Sequence, residues 1–263
     1  TQELLDMYLG LHFPSLGSEE GVNAMLAHSN SPDHALRFPQ RVAKLLVSLA
    51  PKRTNDRALD VGCAVGGASF ELARTFNRGD AFDYSCLFID AAKRMQLGEG
   101  ILFRIPVEAD IYERVRAVHE PEVTEGVRER IHFFQGDACK LQEYAVENRL
   151  HSYDGVIMSN LLCRLSDPRA ALQGLSHVVN EGGVVVIVTP FSWLEEFTPR
   201  SRWLGGFYDP VTKDPCLSKV AVRQIMEDCG FEKIHEEEIP LIIREHQSAL
   251  QKHGVGRVLD LIN

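Results

Sequence analysis

Short apolar runs of strand length alternate with amphipathic stretches of helix length through the middle of the chain. Residues 58–61, 81–84, 131–135, 155–159 and 183–189 read as buried strands, the last of them β-branched from Val184 to Thr189. Between them, 70–76, 88–95 and 168–179 carry apolar residues three and four apart, the period of a helix packed on one side. Asp167-Pro168 opens the last of these with a capping carboxylate and a proline at the first helical position, and Glu181-Gly-Gly is expected to close it. Strands alternating with helices predict a parallel sheet covered by helices. Residues 231–238 and 241–245 add late strands, expected as an antiparallel pair at the sheet edge.

The flanking regions follow a different pattern. Leu4, Leu5, Tyr8 and Leu9, then Val42, Leu45, Leu46 and Leu49, recur at helical spacing. Residues 1–50 are therefore expected as a helical cap, broken by Pro14 and Pro32, ahead of a domain over 51–263. Residues 97–130 are too long for a plain connection and are highly charged at 108–114 and 122–130. They are expected as an inserted loop and helix on the surface.

Composition acts mainly by exclusion. A chain of 263 residues, 44% hydrophobic and 25% charged, is large enough for an ordinary soluble core. Its formal net charge of −9 argues against a phosphate-tracking surface, so nucleic acid is not an expected partner. There is no run of ~18 apolar residues and no basic, then apolar, signal region, so a cytoplasmic protein off the membrane is expected. Cys63, Cys86, Cys139, Cys163, Cys216 and Cys229 are scattered without a C-x-x-C pair, which predicts reduced thiols and no metal site.

Candidate chemistry gathers where the strands end. Asp60, Gly62, Cys63, Ala64 and Gly66 make a tight turn after the first strand, where glycine lets backbone approach a ligand. No Lys-Ser or Lys-Thr follows this turn, which disfavours phosphoryl transfer. Asp83 ends the second strand 23 residues after Asp60, near the ~20-residue interval at which an acid meets ribose hydroxyls. Its plainer role is to cap the helix beginning near Ser85, and Tyr84, Ser85 and Phe88 stand at the same mouth. Asp137, Ala138 and Cys139 end the third strand and suit the amine and ring nitrogen of adenine, while Asn160 and Leu161 end the fourth, facing the reaction centre. A nucleoside cofactor suits this set.

In this order, the landmarks make residues 50–245 resemble the class I S-adenosylmethionine-dependent methyltransferases, with Ala64 where that family usually has glycine. The resemblance implies a Rossmann-like α/β fold, with a mostly parallel seven-stranded sheet and helices on both faces. It also implies S-adenosyl-L-methionine as cofactor and S-adenosyl-L-homocysteine as product. Residues 59–74 and 135–139, Pro190-Phe-Ser-Trp-Leu-Glu-Glu-Phe-Thr-Pro199, Trp203-Leu-Gly-Gly-Phe207, Ile243-Arg-Glu245 and Tyr8-Leu-Gly-Leu-His12 further resemble the methyltransferase module of ovothiol biosynthesis.

That second resemblance implies methylation of an imidazole nitrogen of 5-thiohistidine, a substrate with a carboxylate, an ammonium and a flat ring. Glu195 and Glu196 are the candidates for the ammonium, Arg244 for the carboxylate, and Trp193, Trp203, Phe207 or Tyr8 for the ring. Tyr8, His12 and Glu195 are candidates to take a proton. The module is usually fused behind a sulfoxide synthase, which is the partner the resemblance suggests; no synthase part is present, so the chain reads as a stand-alone enzyme or an excised domain. Two rival readings stand beside it: a methyltransferase for another small amine, thiol or carboxylate, and a cofactor-binding partner module without catalysis. Plainer roles are packing for the tryptophans, a structural place for His12 and a local ion pair for Arg244-Glu245.

Overall fold

Alternating side chains on the two faces of one sheet decide how the layers form. The computed structural model describes residues 1–13, 16–18, 21–22, 37–50, 56–244 and 250–262. Strands β1 (Arg57–Val61), β2 (Arg78–Asp83), β3 (Ile131–Gln135), β4 (Tyr153–Ser159) and β5 (Val179–Thr189) lie parallel in the order β5-β4-β1-β2-β3. At the other edge, β6 (Glu232–Arg244) is outermost and β7 (Leu250–Ile262) lies between it and β5, antiparallel to both. The helices that concern the site are α1 (Gln2–His12), α2 (Phe38–Leu49), α3 (Gly67–Leu72), α4 (Cys86–Gln96), α5 (Leu141–Val146), α6 (Pro168–Leu175) and α7 (Ser218–Asp228).

Successive residues of a strand point to opposite faces, and both faces here are apolar. Leu59, Val61, Phe82, Val156, Met158, Val185 and Ile187 pack with residues of α5, α6 and α7. Ala58, Ile157, Val184, Val186 and Val188 point the other way, to Val42 and Leu46 of α2 and Leu72 of α3. A third cluster joins Leu5 and Leu9 of α1 to Phe88 and Met95 of α4 and to Phe133 of β3. Helix α2 thus belongs to the sheet's own core, although the boundary expected at residue 50 sets it with the cap. No helix among the described residues is long and apolar enough to cross a membrane.

Several expectations need correction. Residues 97–130 hold a β-hairpin, Ile101–Glu108 against Ile111–Ala117, followed by one helical turn, Glu125–Arg128, where a loop and a helix are expected. Its period-two signal is carried by Ile101, Phe103, Ile105, Val115 and Ala117, all buried, with charged residues between them on the open side. Residues 1–50 are not wholly helical, since Leu16–Ser18 and Gly21–Val22 are extended and Leu16 pairs with Ala117 of the hairpin; Pro14 and Pro32 lie outside the described residues. The expected strands over 231–238 and 241–245 do not pair with each other: Glu232–Arg244 is one strand with an irregularity at Pro240/Leu241, whose partner is β7, and Glu245 lies outside the described residues. Glu181-Gly-Gly lies inside β5, where Gly182 has φ +76° at a register shift, and α6 ends earlier, at Leu175.

The turn between β1 and α3 is tied to β2. The N–H groups of Gly62 and Cys63 both donate to the carbonyl of Phe82, at 2.9 and 3.0 Å. The turn closes on itself through Gly66 N–H to the Cys63 carbonyl at 2.9 Å. Gly62 and Gly66 have φ of +76° and +87°, and a Cβ at Gly62 would stand 2.7 Å from Leu161. Ala64 adopts φ +47° without the freedom of glycine.

Helix α1 is fastened to the start of α3 by a ring nitrogen. Gly67 N–H donates to His12 Nδ1 at 3.1 Å, and Gln40 Nε2 holds the His12 carbonyl at 2.6 Å. A Cβ on Gly67 would lie 2.8 Å from the His12 carbonyl oxygen, so glycine is what permits this approach. Burial lowers the His12 pKa from 6.5 to about 3. The ring is neutral, with its Nδ1 lone pair already used.

Two outcomes follow from these contacts. An unfolded His12 takes a proton below about 6.5 while the folded ring stays neutral down to about 3, so stability falls as pH drops through that window. The loss is about 1.4 kcal/mol per pH unit, and His12→Asn, which keeps an acceptor but does not titrate, should flatten the fall in denaturant midpoint between pH 6.5 and 4. An unchanged slope would refute this. For the turn, Ala64→Gly relieves ~1–2 kcal/mol of left-handed strain against ~0.4–1 kcal/mol of added unfolded-chain freedom, so urea unfolding should show a gain of about 0.5–1 kcal/mol.

Candidate functional site

The carboxyl ends of β1, β2, β3 and β4 face one crevice, where open α/β sheets bind ligands. Asp60 is the last charged residue of β1 and is 3% exposed. Its Oδ2 accepts the Ser69 hydroxyl at 2.6 Å. Burial raises its pKa to about 7, opposed by the Ser69 hydroxyl and increased by the charge of Asp83.

Asp83 links the turn to the start of α4. Its Oδ2 accepts Ala64 N–H at 3.0 Å and its Oδ1 accepts Ser85 N–H at 2.9 Å. Burial again raises its pKa, against the pull of those N–H groups. Ser85 Oγ caps α4 by accepting Phe88 N–H at 3.4 Å, so Ser85, and not Asp83, is the helix cap. Among the described residues, no cation contributes to the balance at either carboxylate. A buried acid beside a half-buried one, without a cationic partner among the described residues, favours a ligand that brings positive charge or hydroxyl donors.

The remaining predicted cofactor residues come together around this pair. Cys63 is buried, its thiol donating to the Ala64 carbonyl at 3.6 Å and pushed up in pKa by burial, so it serves as a small apolar side chain. Asp137 Oδ1 accepts Cys139 N–H at 2.9 Å, which sets a short turn with Ala138 buried inside it. Asn160 has φ +53° and donates its N–H to Val188 at 2.7 Å, linking the ends of β4 and β5. Leu161 lies against Gly62. Tyr84 is 76% exposed on the rim, and its carbonyl accepts from Gln135 at 3.0 Å.

Tyr8 is placed over the same crevice by α1. Its ring lies 4.8 Å from that of Phe88 and 5.8 Å from that of His12. Burial and the Asp83 charge raise its hydroxyl pKa, and the charge of Arg164 lowers it in part. The phenol therefore keeps its proton at neutral pH. His12, expected as a proton acceptor, is corrected to a cap of α3, because its one lone pair is committed to Gly67.

The segment after β5 departs from expectation. Trp193, assigned to a flat substrate ring, is buried, with its indole N–H on Ser218 Oγ of α7 at 2.8 Å. Trp203 donates to the Thr198 carbonyl at 2.8 Å and stacks under Arg200. Both indoles brace the segment from within. Glu195 and Glu196 are exposed in a turn, and Phe207 begins a two-residue strand paired with Cys216. Arg244 pairs by backbone with Leu250 at the end of β6; its side chain and Glu245 lie outside the described residues.

Sequence reasoning missed Ser69 and Arg164. The nine-residue step from Asp60 to Ser69 across strand, turn and first helical turn is a legible sign of the first. Arg164, three residues beyond Leu161, had no sign beyond its position after a strand end.

No curated protein matches the chain. In fold it is similar to magnesium protoporphyrin IX methyltransferase from Synechocystis PCC 6803 with bound SAM, at 15% identity over 86% of this chain and 79% of that one, with TM-score 0.50. It is likewise similar to a SAM-dependent methyltransferase from Methanosarcina mazei, at 18% identity over 83% of this chain and 96% of that one, with TM-score 0.52. At such identities the likeness concerns the fold alone. The family described as a methyltransferase domain matches residues 33–236, more than half of the 263-residue sequence, and the chain belongs to that family.

Proposed function

We propose that this methyltransferase uses S-adenosyl-L-methionine and transfers its methyl group to an imidazole nitrogen of 5-thiohistidine, with α1 as a cap over the cofactor. The observation that carries the cofactor is the pair of buried Asp60 and half-buried Asp83 at a glycine turn, with no cation among the described residues balancing either. When bound, this cofactor supplies an electrophilic methyl group on a positively charged sulfur.

The residues present fit that group. Asp83 receives backbone N–H groups from Ala64, Ser85 and Tyr84, leaving a further lone pair for a ribose hydroxyl. The start of α3 is already occupied, Gly67 N–H by His12 and the Ser69 N–H and hydroxyl by Asp60, so it offers little to a phosphate. A cationic nucleoside suits such a site better than a dinucleotide. Asp137, Ala138 and Cys139 would take the base, and Asn160 and Leu161 would border the methyl-bearing end.

The acceptor rests on the sequence resemblance of residues 190–207 and 8–12. Tyr8, holding its proton, would orient the acceptor by a hydrogen bond rather than act as a base. A neutral imidazole nitrogen carries its own lone pair, so alignment at ~3 Å would supply most of the rate. One of the exposed Glu195 and Glu196 would meet the ammonium, and Phe207 the ring edge. Association with a sulfoxide synthase and a cytoplasmic site of action belong to the same proposal.

Calorimetry and product mass test it together. The wild-type chain should bind S-adenosyl-L-methionine, and Asp83→Ala should weaken that binding about 10-fold or more, the worth of one charged hydrogen-bond partner. Mixed with 5-thiohistidine, the loaded wild type should yield a product heavier by one methyl. Absence of cofactor binding would overturn the whole reading. Binding without methylated thiohistidine would overturn the acceptor alone.

A further inference from the structure

Arg164 closes the short turn that follows β4 and is held in place by a second segment. Its Nη1 donates to the carbonyl of Ser192, beyond β5, at 3.0 Å and to the carbonyl of Cys163 at 3.1 Å. The guanidinium lies over the ring of Phe197 at 4.9 Å. Among the described residues its contacts use Nη1 and the plane of the group; none is with a carboxylate, and none uses Nε or Nη2.

The location matters as much as the free edge. Leu161, three residues earlier, packs on Gly62 of the cofactor turn, so the β4 exit adjoins the crevice. The Tyr8 hydroxyl sits within the fields of both Asp83 and Arg164. Tyr8 thus feels both a carboxylate and a guanidinium. A chain of net charge −9 with 37 acidic residues leaves this cation without an acid among the described residues.

We propose that Arg164 anchors the carboxylate of the methyl acceptor through its Nε and Nη2 edge, making the acceptor class small carboxylic acids with a nucleophilic nitrogen or sulfur. The Nε–Nη2 edge is the one that meets both oxygens of a carboxylate side by side. The guanidinium is already oriented by Ser192, Cys163 and Phe197, so little side-chain entropy is lost on pairing. Arg164 thereby takes the role that the sequence assigns to Arg244. The proposal rests on the methyltransferase reading of the same crevice, and it holds for acceptors other than thiohistidine.

The test is a set of calorimetric titrations on the full chain saturated with S-adenosyl-L-homocysteine. The probes are a panel of α-amino acids that includes 5-thiohistidine and histidine, each beside its carboxamide. In the wild type at least one acid should bind about 10-fold more tightly than its amide, as expected for a charge-assisted pair. Arg164→Gln should reduce that preference to less than roughly threefold, Arg164→Lys should keep part of it, and both should bind S-adenosyl-L-homocysteine within roughly threefold of wild type. No binding acid in the panel, no acid-over-amide preference, or a preference that survives Arg164→Gln would overturn the anchor. A wild type that does not bind S-adenosyl-L-homocysteine would instead overturn the cofactor reading beneath it.

Discussion

The crevice depends on one tie between neighbouring strands. The Phe82 carbonyl at the end of β2 receives the N–H groups of Gly62 and Cys63, and the next residue, Asp83, receives that of Ala64. Three successive backbone donors from the turn are thus fixed to two successive residues of β2. The turn must therefore use left-handed backbone at Gly62, Ala64 and Gly66 to return into α3. Any ligand at the end of β1 meets a turn in which the N–H groups of Gly62, Cys63 and Ala64 are already taken, beside the carboxylates of Asp60 and Asp83.

The same economy governs α3. A helix start is usually a source of free N–H groups, but here His12 and Asp60 use those of Gly67 and Ser69. The N-terminal helix α1 and the sheet are in this way joined at the ligand crevice itself. The junction requires a neutral histidine and a glycine opposite it, and it carries Tyr8 to a place beside Phe88.

The central fold was legible because both faces of the parallel strands are apolar. A run such as Val184 to Val188 fits a strand covered on both faces. The hairpin after α4 was not legible, since Arg104, Glu113 and Arg114 between its buried residues suggest a solvated excursion. In the crevice, the turn from Asp60 to Gly66 was readable from its own short sequence, whereas the hold of Asp83 on Ala64, 19 residues back, comes from the pairing of β1 with β2. For His12 and the two tryptophans the sequence offers a structural role beside a chemical one without deciding between them, since each is held by a partner it does not name: Gly67 for His12, Ser218 for Trp193. Trp203 is a partial exception, with its partner at Thr198 only five residues away.

The charge distribution also limits how such a site could act. Carboxylates at Asp60 and Asp83 favour a cationic ligand in its ground state, and that preference gives no help to a reaction that disperses the positive charge. Acceleration would then have to come from alignment of the two reacting atoms. Alignment needs rigid elements on both sides. On one side the glycine turn is pinned to β2; on the other, Arg164 ties the exit of β4 to the segment beyond β5, which Trp193 in turn fixes to α7. The indoles that the sequence nominates for substrate contact thus act from behind, by holding still the segment against which Arg164 is braced.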